Sequence, residues 1–241
     1  SGLLMLVSGM AAARLLFHGR DRTWPALVMP ALLVALALTF TRSAMVGTCV
    51  GIGLLFVLKD LRLLLLAPIV AGLFIVAAPE QITARLYSTF DPQNETVRDR
   101  IAMMRTGVRL VRDYPLMGVG PDMVEGVYAD YRDPAAIQES NPHLHNVPIQ
   151  IAAERGLPAL LVWIALIVAV TRSLVHQLRT GSYRSLPAGG LAAVGSMLAA
   201  GMFEYNFGDS EFLMLWLVLV TLPFAAEAEP ITSDQPTTEP A

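Results

Sequence analysis

Charge is scarce in this chain. Of its 241 residues only 15% are Asp, Glu, Lys or Arg, where a soluble domain carries roughly a quarter. Cysteine is scarcer still. The single one, Cys49, excludes an internal disulfide and any multi-thiolate metal site. It lies inside an apolar run and reads as a small packing residue. Nucleotide-binding patterns are missing as well. Gly118-Val119-Gly120 has no following Lys-Ser/Thr and no third glycine, so neither a phosphate-cradling loop nor a dinucleotide fingerprint is present. There is no internal repeat, no secretory signal pattern and no basic stretch suited to nucleic acid, so no nucleic-acid partner is expected. The chain opens on Ser1, already inside an apolar segment, as an N-terminally truncated piece of a longer protein would.

What is present in quantity is apolar sequence. Hydrophobic residues make up 54% of the chain, with a mean hydropathy of +0.54. The charges are swept into short blocks between apolar runs, the pattern of a polytopic membrane protein. Seven such runs stand out: Gly2 to Phe17, Trp24 to Phe40, Ser43 to Leu58, Leu61 to Ala78, Val147 to Val170, Leu186 to Phe203, and Phe212 to Ala226. Each approaches the roughly 20 residues needed to cross a bilayer. The expected class is all-α, with about seven transmembrane helices and one large outer loop, which the resemblance given below makes periplasmic. If every run spans, the basic short connections His18 to Arg22, Lys59 to Arg62 and Arg172 to Arg184 fall on one side, which is then cytoplasmic. The expected organisation is membrane helices over 1–78, an outer loop over 79–146, membrane helices over 147–226 and an acidic, disordered cytoplasmic tail over 227–241.

The outer loop is too long for a plain connector. Val97, Ile101, Met104, Val108 and Val111 recur at helical spacing and predict an amphipathic helix. Arg98, Arg105, Arg109 and Arg112 occupy another face, within about 60° of arc. Such a helix suits the bilayer surface, with membrane lipids as its partners. Arg42 stands at the outer junction of two apolar runs, where an arginine is costly and tends to mark a function. Its planar fork is suited to a diphosphate.

His143 and His145 lie two residues apart in a segment that returns to an apolar run. No third ligand stands at a recognised spacing, so no metal site is assigned. His145, followed by Asn146 at the membrane re-entry, is placed where a general base is useful. His143 reads as a structural histidine. Glu204, Asn206, Asp209 and Glu211 read as a solvated connection, with acceptor-sugar binding as the other reading.

Three stretches together resemble the O-antigen ligase and O-antigen polymerase superfamily. They are Thr41-Arg42-Ser43 opening a helix, the turn Asp113-Tyr-Pro-Leu-Met-Gly-Val-Gly-Pro121, and His145-Asn146 followed by Gly156-Leu-Pro158. The ligase signature runs His, then Asn, Ser or Gln, nine residues, Gly, two residues, and Gly, Thr or Tyr. His145, Asn146 and Gly156 match, and Ala159 departs at the last position. The resemblance covers residues 40 to 225 in order and corresponds to the C-terminal portion of such proteins.

The resemblance implies a cofactor-independent glycosyltransferase of the cytoplasmic (inner) membrane, with its active site facing the periplasm. Its donor would be a glycan on undecaprenyl diphosphate, and its acceptor a hydroxyl of lipid A-core or of another glycan. His145 would be the base in an inverting, metal-independent displacement. Arg42 would hold the diphosphate together with a loop arginine, Arg105 first and Arg98 next. Asn146, His143 and Arg109 would be supporting residues. A glycan polymerase and a protein O-oligosaccharyltransferase share this donor chemistry and remain open. A lipid-linked-glycan transporter is the non-enzymatic alternative.

Overall fold

A computed structural model of the chain describes residues 1–18, 22–66, 72 and 95–228, and every regular element among them is helical. In chain order these are α1 (Gly2–Phe17), α2 (Thr23–Leu38), α3 (Arg42–Lys59), α4 (Glu95–Asp113), α5 (Val124–Tyr131), α6 (Val147–Thr180), α7 (Ser185–Gly201) and α8 (Ser210–Ala228). Short 3-10 turns occupy Leu61–Leu66 and Asn206–Gly208. The chain is all-α over this range, as its composition predicts. Three helical stretches are long and apolar enough to cross a membrane: Arg42–Lys59, Val147–Thr180 and Ser210–Glu227. α1, α2 and α7 are apolar too, with 16, 16 and 17 residues. The expected run Leu61 to Ala78 lies outside the described residues apart from its opening turn and Gly72, as do Arg20, Arg85 and the tail beyond Ala228.

α7 sits at the centre of the bundle. Ala188, Gly189, Gly190, Ala192, Ala193 and Ala200 are buried along it, and α1, α3, α6 and α8 pack around it. With side chains this small, backbones approach closely, and dispersion rather than hydrophobicity holds apolar helices together in lipid. α3 uses the same device. A Cβ on Gly47 would come within 2.8 Å of Ser196 O, and one on Gly51 would strike the Ser196 hydroxyl. Away from this core, Leu27 and Val34 of α2, Leu161 and Val162 of α6, and Met214 and Val218 of α8 are exposed. An outward apolar girdle of this kind is matched by lipid and by little else.

α6 runs ten residues past the expected end at Val170, so Arg172 and Arg179 lie on a helix and not in a loop. Leu, Gln and Arg are good helix formers, and Thr171 Oγ1 folds back to donate to Ile167 O at 2.7 Å. α4 forms where the periodicity predicts, and the face it buries against the protein is not the apolar stripe expected at the bilayer. Asp99, Ala102, Met103, Thr106, Gly107 and Leu110 are inward, while Ile101 and Val108 are 40% and 58% exposed. Small size decides this, because a Cβ on Gly107 would strike Ile149 Cγ2 of α6. Hydrogen bonds make the polar members tolerable. Asp99 Oδ1 accepts from Ile137 N–H at 2.7 Å, and Thr106 Oγ1 accepts from Asp133 N–H at 3.0 Å. Met103, Leu110, Val124, Tyr128, Leu144 and Ala153 then form a second small core beneath the loop.

Candidate active site

The segment entering α6 is pinned on both sides of His145. Leu144 is fully buried, and its N–H donates to Gln150 Oε1 at 2.7 Å. Asn146 caps the helix: its Oδ1 accepts from Ile149 N–H at 3.0 Å, while its Nδ2 donates to Met202 O at 3.2 Å. Between these anchors His145 adopts a φ of 50°. For a residue with a Cβ that left-handed conformation costs about 1–2 kcal/mol, and such strain gathers at functional positions.

The conformation brings the imidazole to Glu204, with Nδ1 3.1 Å from Oε1. A carboxylate only accepts, so Nδ1 carries a proton in this bond, and in the neutral ring Nε2 is then the nitrogen that bears the lone pair. The second oxygen of Glu204 lies 3.9 Å from Arg100 Nη2. Burial pushes the Glu204 carboxyl up, but the hydrogen bond and charge of His145, with Arg100 behind them, outweigh it and hold the group below its ordinary value.

Beside this pair is a cavity of about 370 Å³ between the end of α7, the starts of α1, α3 and α8, and the histidine segment. Thr41, Ser43, His143, Glu204, Tyr205 and Asp209 contribute to its wall. The His143 ring lies 5.2 Å from that of Tyr205, tilted by 52°. Arg42 is the first residue of α3, between two residues that line the cavity. Thr39-Phe40-Thr41 makes a tight turn before it, with Thr39 Oγ1 donating to Leu36 O at 2.7 Å and Phe40 at a φ of 52°.

The arginines of α4 divide. Arg100 faces Glu204, whereas Arg98 and Arg105 lie about 160° and 140° away around the helix and are exposed. Arg109 Nη2 donates to Asp133 Oδ2 at 3.0 Å and its Nη1 reaches two nearby carbonyls, so it braces the loop. His143 and His145 both face the connection after α7, but among the described residues no group of three His, Cys, Asp or Glu is placed to hold a metal ion. Sequence reasoning places Glu204 in a solvated or sugar-binding connection and gives no sign of its pairing with His145 and Arg100. Glu204 is 59 residues from His145, a separation with no pattern, and Arg100 is out of phase with the arginine row.

The two glycine-containing motifs dock on each other. Gly156, at a φ of 81°, interrupts α6, and Pro158 has no N–H to return to Glu154. The freed carbonyls of Ala153 and Glu154 accept from Val119 N–H at 2.8 Å and Gly120 N–H at 2.9 Å. The freed Leu157 N–H donates to Pro115 O at 2.8 Å. Gly118, at a φ of 66°, lies against the backbone of Glu154 and Arg155, and Gly156 against that of Leu116 and Met117, so closely that a Cβ on either would strike it. This joint fixes the break in α6 eleven residues beyond His145.

A family model described as O-Antigen ligase matches residues 26–164, more than half of the chain. The chain belongs to the O-antigen ligase family. No curated protein matches it at a significant level. Membership and the apolar helices together make it a multi-pass membrane protein. O-antigen ligase family members are glycosyltransferase-like enzymes, with a lipid-linked glycan and an acceptor as substrates in general. The matched stretch contains Arg42, α4, the glycine turn, His145 and Gly156, whereas Glu204 and most of the cavity's second wall lie beyond it.

Proposed function

We propose that this family member transfers a glycan from undecaprenyl diphosphate to a hydroxyl of lipid A-core or another glycan, on the periplasmic face of the bacterial cytoplasmic membrane. The observation that carries the reading is the His145–Glu204 hydrogen bond, whose carboxylate also approaches Arg100 and lines a cavity of about 370 Å³. The acceptor hydroxyl gives its proton to Nε2 as its oxygen bonds to the anomeric carbon. The bond from that carbon to the diphosphate oxygen breaks, and the lipid diphosphate leaves with the electron pair. Attack opposite the leaving group inverts the anomeric centre. Glu204 holds the ring in its tautomer and stabilises the imidazolium that forms.

The leaving diphosphate gains negative charge, which arginines stabilise through paired hydrogen bonds. Arg42 keeps the role expected of it. For the loop partner, Arg100 is better placed than Arg105 or Arg98, because it approaches the Glu204–His145 pair. In this reading all seven apolar segments span. Thr41, His143, Glu204 and Asp209 share one cavity, which supports assigning their connections to one side of the membrane. α4 then lies along that surface with Ile101, Met104 and Val108 towards lipid.

Polymerisation and protein O-glycosylation use the same donor half and differ in acceptor. The transporter alternative is less well supported, since transporters place polar groups near the midplane and here they gather at one end of the bundle. The test is a reaction of purified full-length protein with an undecaprenyl-diphosphate-linked glycan and separate lipid A-core, glycan and peptide acceptors. The expected product carries the inverted linkage to lipid A-core and releases undecaprenyl diphosphate. Retained configuration would overturn the direct displacement. Absence of transfer to every acceptor would overturn the enzyme reading.

A further inference from the structure

Glu154 is a carboxylate that the transfer chemistry does not use. It is only 2% exposed, on the helix that follows His145. A buried charge is costly unless it is paired, and both oxygens of Glu154 are. Oε1 accepts from Gln150 Nε2 at 2.8 Å, one helical turn back, and Oε2 accepts from Arg155 Nη1 at 2.6 Å. Gln150 is itself fully buried, and its Oε1 accepts the N–H of Leu144, the residue before His145, at 2.7 Å. In the other direction the Arg155 guanidinium also donates to the Tyr205 hydroxyl. Tyr205 adjoins Glu204, and its N–H donates to the Glu204 carboxylate. The links close into a ring, which the His145–Glu204 bond at 3.1 Å completes.

We propose that Gln150 and Glu154 are positioning residues, which together with Arg155 and Tyr205 set the seat of His145 against Glu204. The proposal rests on the transferase reading, which makes His145 the base, and adds residues to which that reading gives no part. Helix packing alone does not call for an ion here, since an apolar side chain of similar volume commonly does as well at a buried site. A hydrogen-bonded ring does call for one. Gln150 presents its carbonyl to Leu144 and its amide to Glu154, and the carboxylate, having only acceptors, meets two donors. The ring ties the segment before α6 to the connection after α7, and the separation of those two elements decides whether imidazole and carboxylate meet. An error of about 1 Å in placing a reacting group costs on the order of 100-fold in rate.

The test uses full-length protein in detergent, carrying isotope-labelled histidine, with neither donor nor acceptor present. NMR reads the hydrogen-bonded Nδ1–H of His145, assigned by its loss in His145→Gln. Glu154→Gln turns an amide on one of its two donors, and Gln150→Glu sets two carboxylates against each other. Each single variant is expected to weaken or lose the signal, and to lower kcat for transfer about 10- to 100-fold with KM little changed. Gln150→Glu combined with Glu154→Gln exchanges the two groups and keeps every bond. The carboxylate at position 150 accepts from Leu144 N–H and from the amide at position 154, whose carbonyl accepts from Arg155. This double variant is expected to recover both signal and rate. Tyr205→Phe removes only a hydroxyl and is expected to weaken the signal in a folded protein, even where a single variant does not fold. No such signal in the wild type, an unchanged one in Tyr205→Phe or in a folded single variant, or a double variant no better than either single would overturn the proposal. A signal that the variants alter as expected, with no glycan transfer by the wild type, would sink the transferase reading alone.

Discussion

At residue 145 the backbone accepts a left-handed conformation so that one imidazole can meet one carboxylate, and that exchange has measurable consequences. In His145→Gly the strain and the side chain both go, whereas in His145→Ala the strain stays. Both variants are expected to lose transfer, and thermal unfolding should find the glycine variant about 1 kcal/mol more stable than the alanine one. Equal stability would mean that the conformation carries no strain. Glu204→Gln keeps the shape but cannot hold the imidazolium, and transfer is expected to fall on the order of 10–1000-fold. The pH dependence follows from the depressed carboxyl of Glu204, held below the ordinary 4.5. Its contribution to stability is complete above that ordinary value and is lost as pH falls through the lower, folded one. An unfolding series against pH should thus show the wild type losing more stability than Glu204→Gln only on the acid side. At this scale the sequence marks Arg42 by its apolar context and His145 by its place at the re-entry into an apolar run, and their part in transfer belongs to the proposal. The pairing of Glu204 with His145 and Arg100 stays hidden, because its meaning comes only from elements far apart in the chain.

The joint between the Pro115–Gly120 turn and the broken helix α6 explains why the two glycine motifs occur together. The turn supplies the donors and acceptor that a helix interrupted at Gly156 leaves unsatisfied. Gly118→Ala and Gly156→Ala each place a Cβ against backbone at positive φ. Each is expected to destabilise by roughly 2–4 kcal/mol, or to prevent folding, in a denaturation assay. A neutral effect would show that the turn does not dock. The sequence displayed both motifs but not their contact, since nothing in spacing says which loop meets which helix. α4 shows the opposite limit. Its helical period and apolar stripe were legible, but the face packed on protein was not, because Ala102, Thr106 and Gly107 serve size and hydrogen bonding and carry little hydrophobic signal. The division of its arginines is testable by transfer assay. Arg100→Ala is expected to cut activity strongly, and Arg98→Ala and Arg105→Ala only weakly. The reverse order would move the diphosphate to the outer edge of the helix.

For the molecule as a whole, composition and the distribution of charge were enough to give the all-α, membrane-bound class, because the solvent imposes them on every span. The central position of α7 was not legible, since a helix of alanines and glycines looks unremarkable until others pack on it. The proposed orientation puts the cavity, His145 and the exposed face of α4 at the outer surface of the membrane. Spin labels at Ile101→Cys and Val108→Cys, in a Cys49→Ser background, are expected to be more accessible to lipid-soluble oxygen than to a water-soluble nickel reagent. The opposite accessibility would lift α4 off the bilayer.

The measurement that bears most directly on the account is made in a Gram-negative strain lacking its own ligase. Full-length wild type, Arg42→Ala, Arg98→Ala and His145→Ala are expressed at equal level and the lipopolysaccharide is resolved on a gel. The account predicts an O-antigen ladder for wild type and Arg98→Ala, and none for Arg42→Ala or His145→Ala. A ladder of wild-type intensity from His145→Ala would contradict it, because the imidazole beside Glu204 would then have no part in the transfer.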